Sequence, residues 1–196
     1  LDLSSLEGYT DEYDKSWNLS KLDQTQALKW VQENIEAFGG DTDNVTIMGH
    51  SSGGAAVQML MVDPESNQYF NRVIENSGVH NHVCMSDELF KENSKKVLEI
   101  LDVKSVDELV SLTDEQISEK MIEINEAVSG IGNRAADGEV ISETWWDDFK
   151  EGSAKDIDLF IGSVNGEEDW DSIDWDYGVS EPVKDYKPEY NKLKES

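Results

Sequence analysis

Between Asn44 and Met61 the chain reads NVTIMGHSSGGAAVQMLM: a short apolar run, a serine set between glycines, then small and apolar residues. Val45–Met48 is β-branched at its start and lacks polar alternation, which predicts a strand buried on both faces of a parallel sheet. Ala55–Val62 reads as a helix. A strand leading in and a small-residue helix leading out frame Gly49-His50-Ser51-Ser52-Gly53, a G-x-S-x-G pattern. Glycines two places either side of Ser51 let the backbone fold tightly around an exposed hydroxyl. The helix start adds a positive field, and the Ser52 backbone N–H is then available to a developing oxyanion. An ordinary glycine turn is the competing reading of the same residues.

The flanking sequence supplies alternating helices and strands. In Ser20–Phe38, residues Leu28, Val31, Ile35 and Phe38 form one apolar stripe at helical spacing, Ser20 and Asp23 resemble a capping pair, and Gly39-Gly40 ends the helix. Further strands are predicted in NRVIENSG and in Asp158–Val164. Ser105–Glu108 (SVDE) and Thr113–Gln116 (TDEQ) read as capping boxes within a charged, helical stretch of about 87–127 that could be an inserted cap. Strands alternating with helices indicate an α/β fold. From Asp169 the sequence loses periodicity and gains acidic residues with Pro182 and Pro188, so 169–196 reads as an acidic, loop-like tail.

Composition narrows the function. The chain's 196 residues suit one domain, and they hold 43 Asp and Glu against 16 Lys and Arg, a formal charge of −27. That charge repels phosphate backbones and anionic lipid surfaces, so no nucleic-acid partner is expected. No run of about 20 apolar residues occurs, so no membrane insertion is expected. Cys84 is the only cysteine, which excludes an internal disulfide framework and predicts a buried or half-buried thiol. LDLSSLEGYT has neither the basic start nor the apolar stretch of a signal peptide, and localisation and oligomeric state are not legible.

LDQTQALKWVQENIEAFGGDTDNVTIMGHSSGG resembles the central signature of the type B carboxylesterase family, the lineage that also contains the cholinesterases, within the α/β-hydrolase fold. FNRVIENSG is similar to the strand and Ser-Gly turn after that family's nucleophile helix. GSAKDIDLFIGSVNGEED is similar to the strand that delivers the catalytic acid. The resemblance implies that residues 1–168 are the central part of an α/β-hydrolase domain, incomplete in this chain. It further implies Ser51 as nucleophile, the Ser52 N–H as oxyanion donor, Glu167 as the acid orienting the base, and Ser77 as a hydrogen-bonding residue behind them. Glu168 is the alternative acid, one loop residue away, and Asp169 a more distant one. The implied substrate is a small carboxylic ester, with no metal or organic cofactor.

Two departures stand beside this resemblance. The family's order is serine, acid, histidine, and no histidine follows Glu167; nor does a glycine-rich oxyanion segment precede Ser51. A serine without a base is a poor nucleophile at neutral pH. The chain therefore reads as the middle of a larger enzyme, and residues 1–196 alone are expected to be aggregation-prone or only partly folded. A catalytically silent, cholinesterase-like binding domain is the alternative. His50, beside Ser51, should point away from the hydroxyl, and His80 and His82 read as pocket-wall or surface residues rather than a base or metal pair. Trp145, Trp146, Trp170 and Trp175 read as packing or pocket residues.

Overall fold

The computed structural model describes residues 1–78, 84–128 and 134–163. Strands β1 (Thr46–His50), β2 (Arg72–Asn76) and β5 (Asp158–Gly162) form a parallel sheet in the order β1-β2-β5. Its rows are in register, so Gly49 pairs with Glu75 and Glu75 with Ile161, while Met48 pairs with Ile74 and Ile74 with Phe160. A second parallel pair joins β3 (Cys84–Ser86) to β4 (Arg134–Ala136).

Helix α2 (Ser52–Val62) is the centre of the packing, and every residue from Gly54 to Val62 is buried. A helix apolar all round must be covered on all sides, and here two clusters do so. Val57, Leu60 and Met61 pack with Phe70, Val73 and Leu28 of helix α1 (Leu19–Asn34). Ala55, Met59 and Val62 pack with Cys84, Ala136, Val140, Ile141 and Trp145, the last at the start of helix α6 (Trp145–Lys150). Cys84 is buried as expected, with Sγ 3.3 Å from Met59 Sδ.

Between β3 and β4 the chain is helical: α3 (Asp87–Leu101), α4 (Val106–Ser111) and α5 (Asp114–Ala127). Thr113 makes the full reciprocal capping box with Gln116. Ser105 accepts from the Glu108 N–H, but the Glu108 carboxylate bonds the Lys104 N–H instead, so this box is only half formed. Leu98 of α3 and Val106 of α4 close a separate cluster with Leu3 and Leu6.

Three expectations are corrected. Phe38 is 73% exposed and tilts against the Trp30 ring 6.0 Å away, because the chain tightens into a 3₁₀ turn over Ile35–Phe38 and leaves the helical phase. The buried side of α1 is instead Lys21, Thr25 and Leu28. It is polar because Lys21 Nζ reaches Asp63 at 2.6 Å and Thr25 Oγ1 lies 2.8 Å from Ser66 Oγ. The Ser20–Asp23 cap does not form; Asn18 takes the N-cap position and sends its side chain elsewhere. Finally, β1 is not covered on both faces: Met48 is 70% and Phe160 69% exposed, on the side of the sheet away from α2. Gly39, by contrast, ends the helical stretch as expected, with φ 84°.

Asn18 and Asp137 tie the start of α1 to β4. Asn18 Nδ2 donates to the Ala135 carbonyl at 2.8 Å and to Asp137 Oδ2 at 3.0 Å, and its Oδ1 accepts from the Ala135 N–H. Asp137 also accepts from Trp17 Nε1 and from the N–H groups of Glu139, Val140 and Ile141. Burial alone would raise the Asp137 carboxyl, but these donors favour the anion and hold it below its ordinary value. A depressed native pKa means stability present above the unfolded carboxylate pKa and lost as pH falls through the native one. Asp137→Ala should cost about 2–4 kcal/mol in urea unfolding near neutral pH, since it strands several half-buried donors, and the deficit should shrink in acid.

Candidate nucleophile elbow

Ser51 sits between the end of β1 and the start of α2 with φ 54° and ψ −121°, a conformation that costs a non-glycine residue of order 1–3 kcal/mol. Its side chain is exposed, at the edge of the sheet where β1, β2 and β5 all end. The strain is held by the backbone: the Ser51 N–H donates to the Asn76 carbonyl at 2.9 Å, and the Ser51 carbonyl accepts from the Ala55 N–H at 3.0 Å. Ser77 repeats the device one strand over. It has φ 51°, and its N–H donates to the Gly162 carbonyl at 2.7 Å. Each turn is thus pinned to the last residue of the next strand.

The glycines of the motif are not equivalent. A Cβ on Gly49 would stand 2.0 Å from the Gly53 carbonyl oxygen, so only glycine lets the first turn of α2 fold back over β1. A Cβ on Gly53 would meet nothing within 4 Å. The second obligatory approach lies instead between Gly54 and Gly78, where a Cβ on Gly78 would come within 2.4 Å of the Gly54 α-carbon. The sequence reading placed that demand on Gly53, one residue early.

Ser52 is the first residue of α2, so its N–H belongs to the set a helix start leaves without an intrahelical acceptor. His50 ends β1 and is exposed; strand alternation puts it opposite Gly49, on the face away from α2. His80, His82, Glu167, Glu168, Asp169, Trp170, Trp175 and the 169–196 tail lie outside the described residues. Trp145 is core, and it lines a cavity of about 550 Å³ with Lys21, Met59 and Asp63. That cavity opens at the C-terminal end of α2, roughly 16 Å along an 11-residue helix from Ser51. Burial pushes the Cys84 thiol up to about 12, which disfavours the reactive thiolate. Among the described residues no group of three or more His, Cys, Asp or Glu could hold a metal ion, and no helix is long and apolar enough to cross a membrane.

Two side chains escaped the sequence reading. Glu75 on β2 is 1% exposed, with Oε1 unpartnered, and Gln58 on α2 is fully buried with both side-chain polar atoms unpartnered. Burial raises the Glu75 carboxyl to about 7. The signal was present in RVIEN, where Glu75 shares the inward phase of Val73.

A parallel sheet in which an exposed, positive-φ serine bridges strand and buried helix defines the α/β-hydrolase fold. A sequence profile of the carboxylesterase family matches residues 8–194, and the chain belongs to that family. It is 34% identical over 175 residues to the para-nitrobenzyl esterase of Bacillus subtilis, an alignment covering 85% of this chain and 34% of that protein. Cholinesterase 1 of Branchiostoma lanceolatum is 30% identical over 175 residues, covering 81% of this chain and 49% of that one. Among solved structures, a carboxylesterase of Geobacillus stearothermophilus superposes with TM-score 0.67 at 29% identity, over 83% of this chain and 35% of its own. A thermophilic PNB esterase gives TM-score 0.69 at 31% identity, over 80% and 34%. The chain therefore spans about a third of the length of the bacterial esterase it matches.

The glycine geometry predicts opposite outcomes for two conservative changes. Gly49→Ala should displace α2 and lower stability by at least about 2 kcal/mol, the scale of backbone overpacking. Gly53→Ala should be neutral or stabilising by up to about 1 kcal/mol, from helix propensity alone. Urea unfolding of the two variants beside the parent checks both.

Proposed function

We propose that this chain carries the nucleophile segment of a serine carboxylesterase, with Ser51 attacking the ester carbonyl. The observation that carries the reading is the strained backbone of Ser51, φ 54°, held by the Asn76 carbonyl while the hydroxyl stays exposed. Strain of that size persists only where the surroundings over-determine it, and residues held that way cluster at functional sites. In the proposed reaction Ser51 Oγ bonds the carbonyl carbon as its proton passes to a histidine of the full-length protein. The carbonyl oxygen takes the negative charge facing the Ser52 N–H. Collapse expels the alcohol with that proton and leaves an acyl-enzyme, which water hydrolyses by the reverse proton path.

Glu167 is assigned as the acid that orients the histidine, with Glu168 as alternative. The parallel direction of β5 supports this, because it leads the chain toward the same sheet edge as Ser51. Ser77, pinned behind the elbow, is assigned a supporting role through its backbone. Small-molecule carboxylic esters are the proposed substrates, in keeping with the family and with the para-nitrobenzyl and cholinesterase relatives.

In the full-length protein Ser51→Ala should lower hydrolysis of a p-nitrophenyl ester by at least about 10³-fold and abolish labelling by a fluorophosphonate. Hydrolysis unchanged in that variant would reject Ser51 as nucleophile, whereas a parent that neither hydrolyses the ester nor takes the label would favour the binding-domain alternative. Glu167→Gln and Glu168→Gln, assayed in parallel, separate the two acids: only the triad member should cost more than about 10²-fold in kcat.

A further inference from the structure

Glu75 occupies the row that runs Gly49–Glu75–Ile161, immediately beside the glycine over which α2 folds back. Its side chain is on the α2 side of the sheet with Val73, which packs against Val57 and Met61 of that helix. Gln58 lies one helical turn beyond Gly54, whose backbone abuts Gly78 just past the end of β2, so Gln58 falls on the same side of α2. Two buried polar side chains with unpartnered atoms thus belong to one helix–sheet junction, with Glu75 in the row of Gly49, two residues before Ser51.

No described charge faces Glu75. Helix α2 contains no charged residue from Ser52 to Val62. The only titratable residue of β1 is His50, and that of β5 is Asp158; both fall on the opposite phase of the sheet, as does Arg72 of β2. A buried carboxylate with no counter-charge is the costly form, whereas a neutral acid is both donor and acceptor and matches the donor and acceptor of an amide.

We propose that Glu75 is a positioning residue that works as a neutral carboxylic acid, seating α2 on β2 together with Gln58, and that its ionisation loosens the turn holding Ser51. The inference rests on the serine esterase reading for its effect on catalysis, but the seat itself has an independent readout. Burial that raises the Glu75 carboxyl to about 7 sets the range. A raised native pKa means stability fully present below the unfolded value and lost as pH rises through the native one.

The test compares parent, Glu75→Gln and Glu75→Leu in the full-length protein, by kcat and KM on a p-nitrophenyl ester and by thermal midpoint, from about pH 5.5 to about pH 8.5. Glu75→Gln, a permanently neutral mimic, should match the parent at the acid end and exceed its kcat by at least about threefold at the alkaline end, with KM unchanged. It should also lose the parent's fall in thermal midpoint across the same range. Glu75→Leu, which removes the polar group from the junction, should lower kcat at every pH, so that rescue by Gln and not by Leu marks a polar requirement at this position. A kcat ratio of Glu75→Gln to parent that stays flat with pH overturns the link to Ser51, even if the thermal difference is present. Identical thermal pH profiles in both overturn the neutral seat. Should Ser51→Ala leave hydrolysis intact, Ser51 falls as nucleophile, and the thermal comparison still decides the seat.

Discussion

The contact on which this structure depends is backbone against backbone. The first turn of α2 lies so close to β1 and to the turn after β2 that three positions, Gly49, Gly54 and Gly78, have no room for a methyl group. That closeness brings the N–H of Ser51 within 2.9 Å of the Asn76 carbonyl and fixes a backbone angle the serine would not adopt alone. It also drives the rest of α2 into the interior, where its opposite sides complete two separate apolar clusters. The strained turn is therefore stabilised by burial gained far from it, as expected of a local cost that the surroundings over-determine.

Much of this was legible because it is local. The serine turn, strands β1, β2 and β5, and the Thr113 capping box follow from residue type and spacing over a few positions. What escaped depends on neighbours distant in sequence. Lys21 is 2% exposed because Asp63 lies beside it, a fact no window around Lys21 contains. Phe38 left its stripe because Trp30 offered a ring and the last turn tightened. Met48 was read as covered because its run is apolar, yet apolarity reports only what a face tolerates, and 70% of Met48 is open here. The site divides in the same way: the elbow is a short-range pattern, whereas the Glu75–Gln58 junction exists only once α2 is laid on β2.

Charge is partitioned with equal sharpness. Among the described residues most charged side chains lie on the surface, where ion pairs such as Lys15–Glu139 are exposed on both sides and are worth little. Inside, the molecule admits the Lys21–Asp63 pair, the heavily hydrogen-bonded Asp137 and the isolated Glu75. The first two keep their charge because something offsets its burial, a cation in one case and a cage of donors in the other. Glu75 has neither.

Sheet register carries a consequence for the order of assembly. β1, α2 and β2 occupy one continuous stretch, Thr46 to Asn76, so the serine turn and its Asn76 anchor can close from neighbouring chain. β5 pairs Asp158 with Arg72, 86 residues away, across the whole helical excursion of α3 to α5. Closing a loop of that length costs entropy before any contact offsets it, which makes the third strand the slow step. A chain emerging from the ribosome thus shapes its serine turn first and docks β5 afterwards, so under the proposed reading the hydroxyl is placed before the acid that would help activate it.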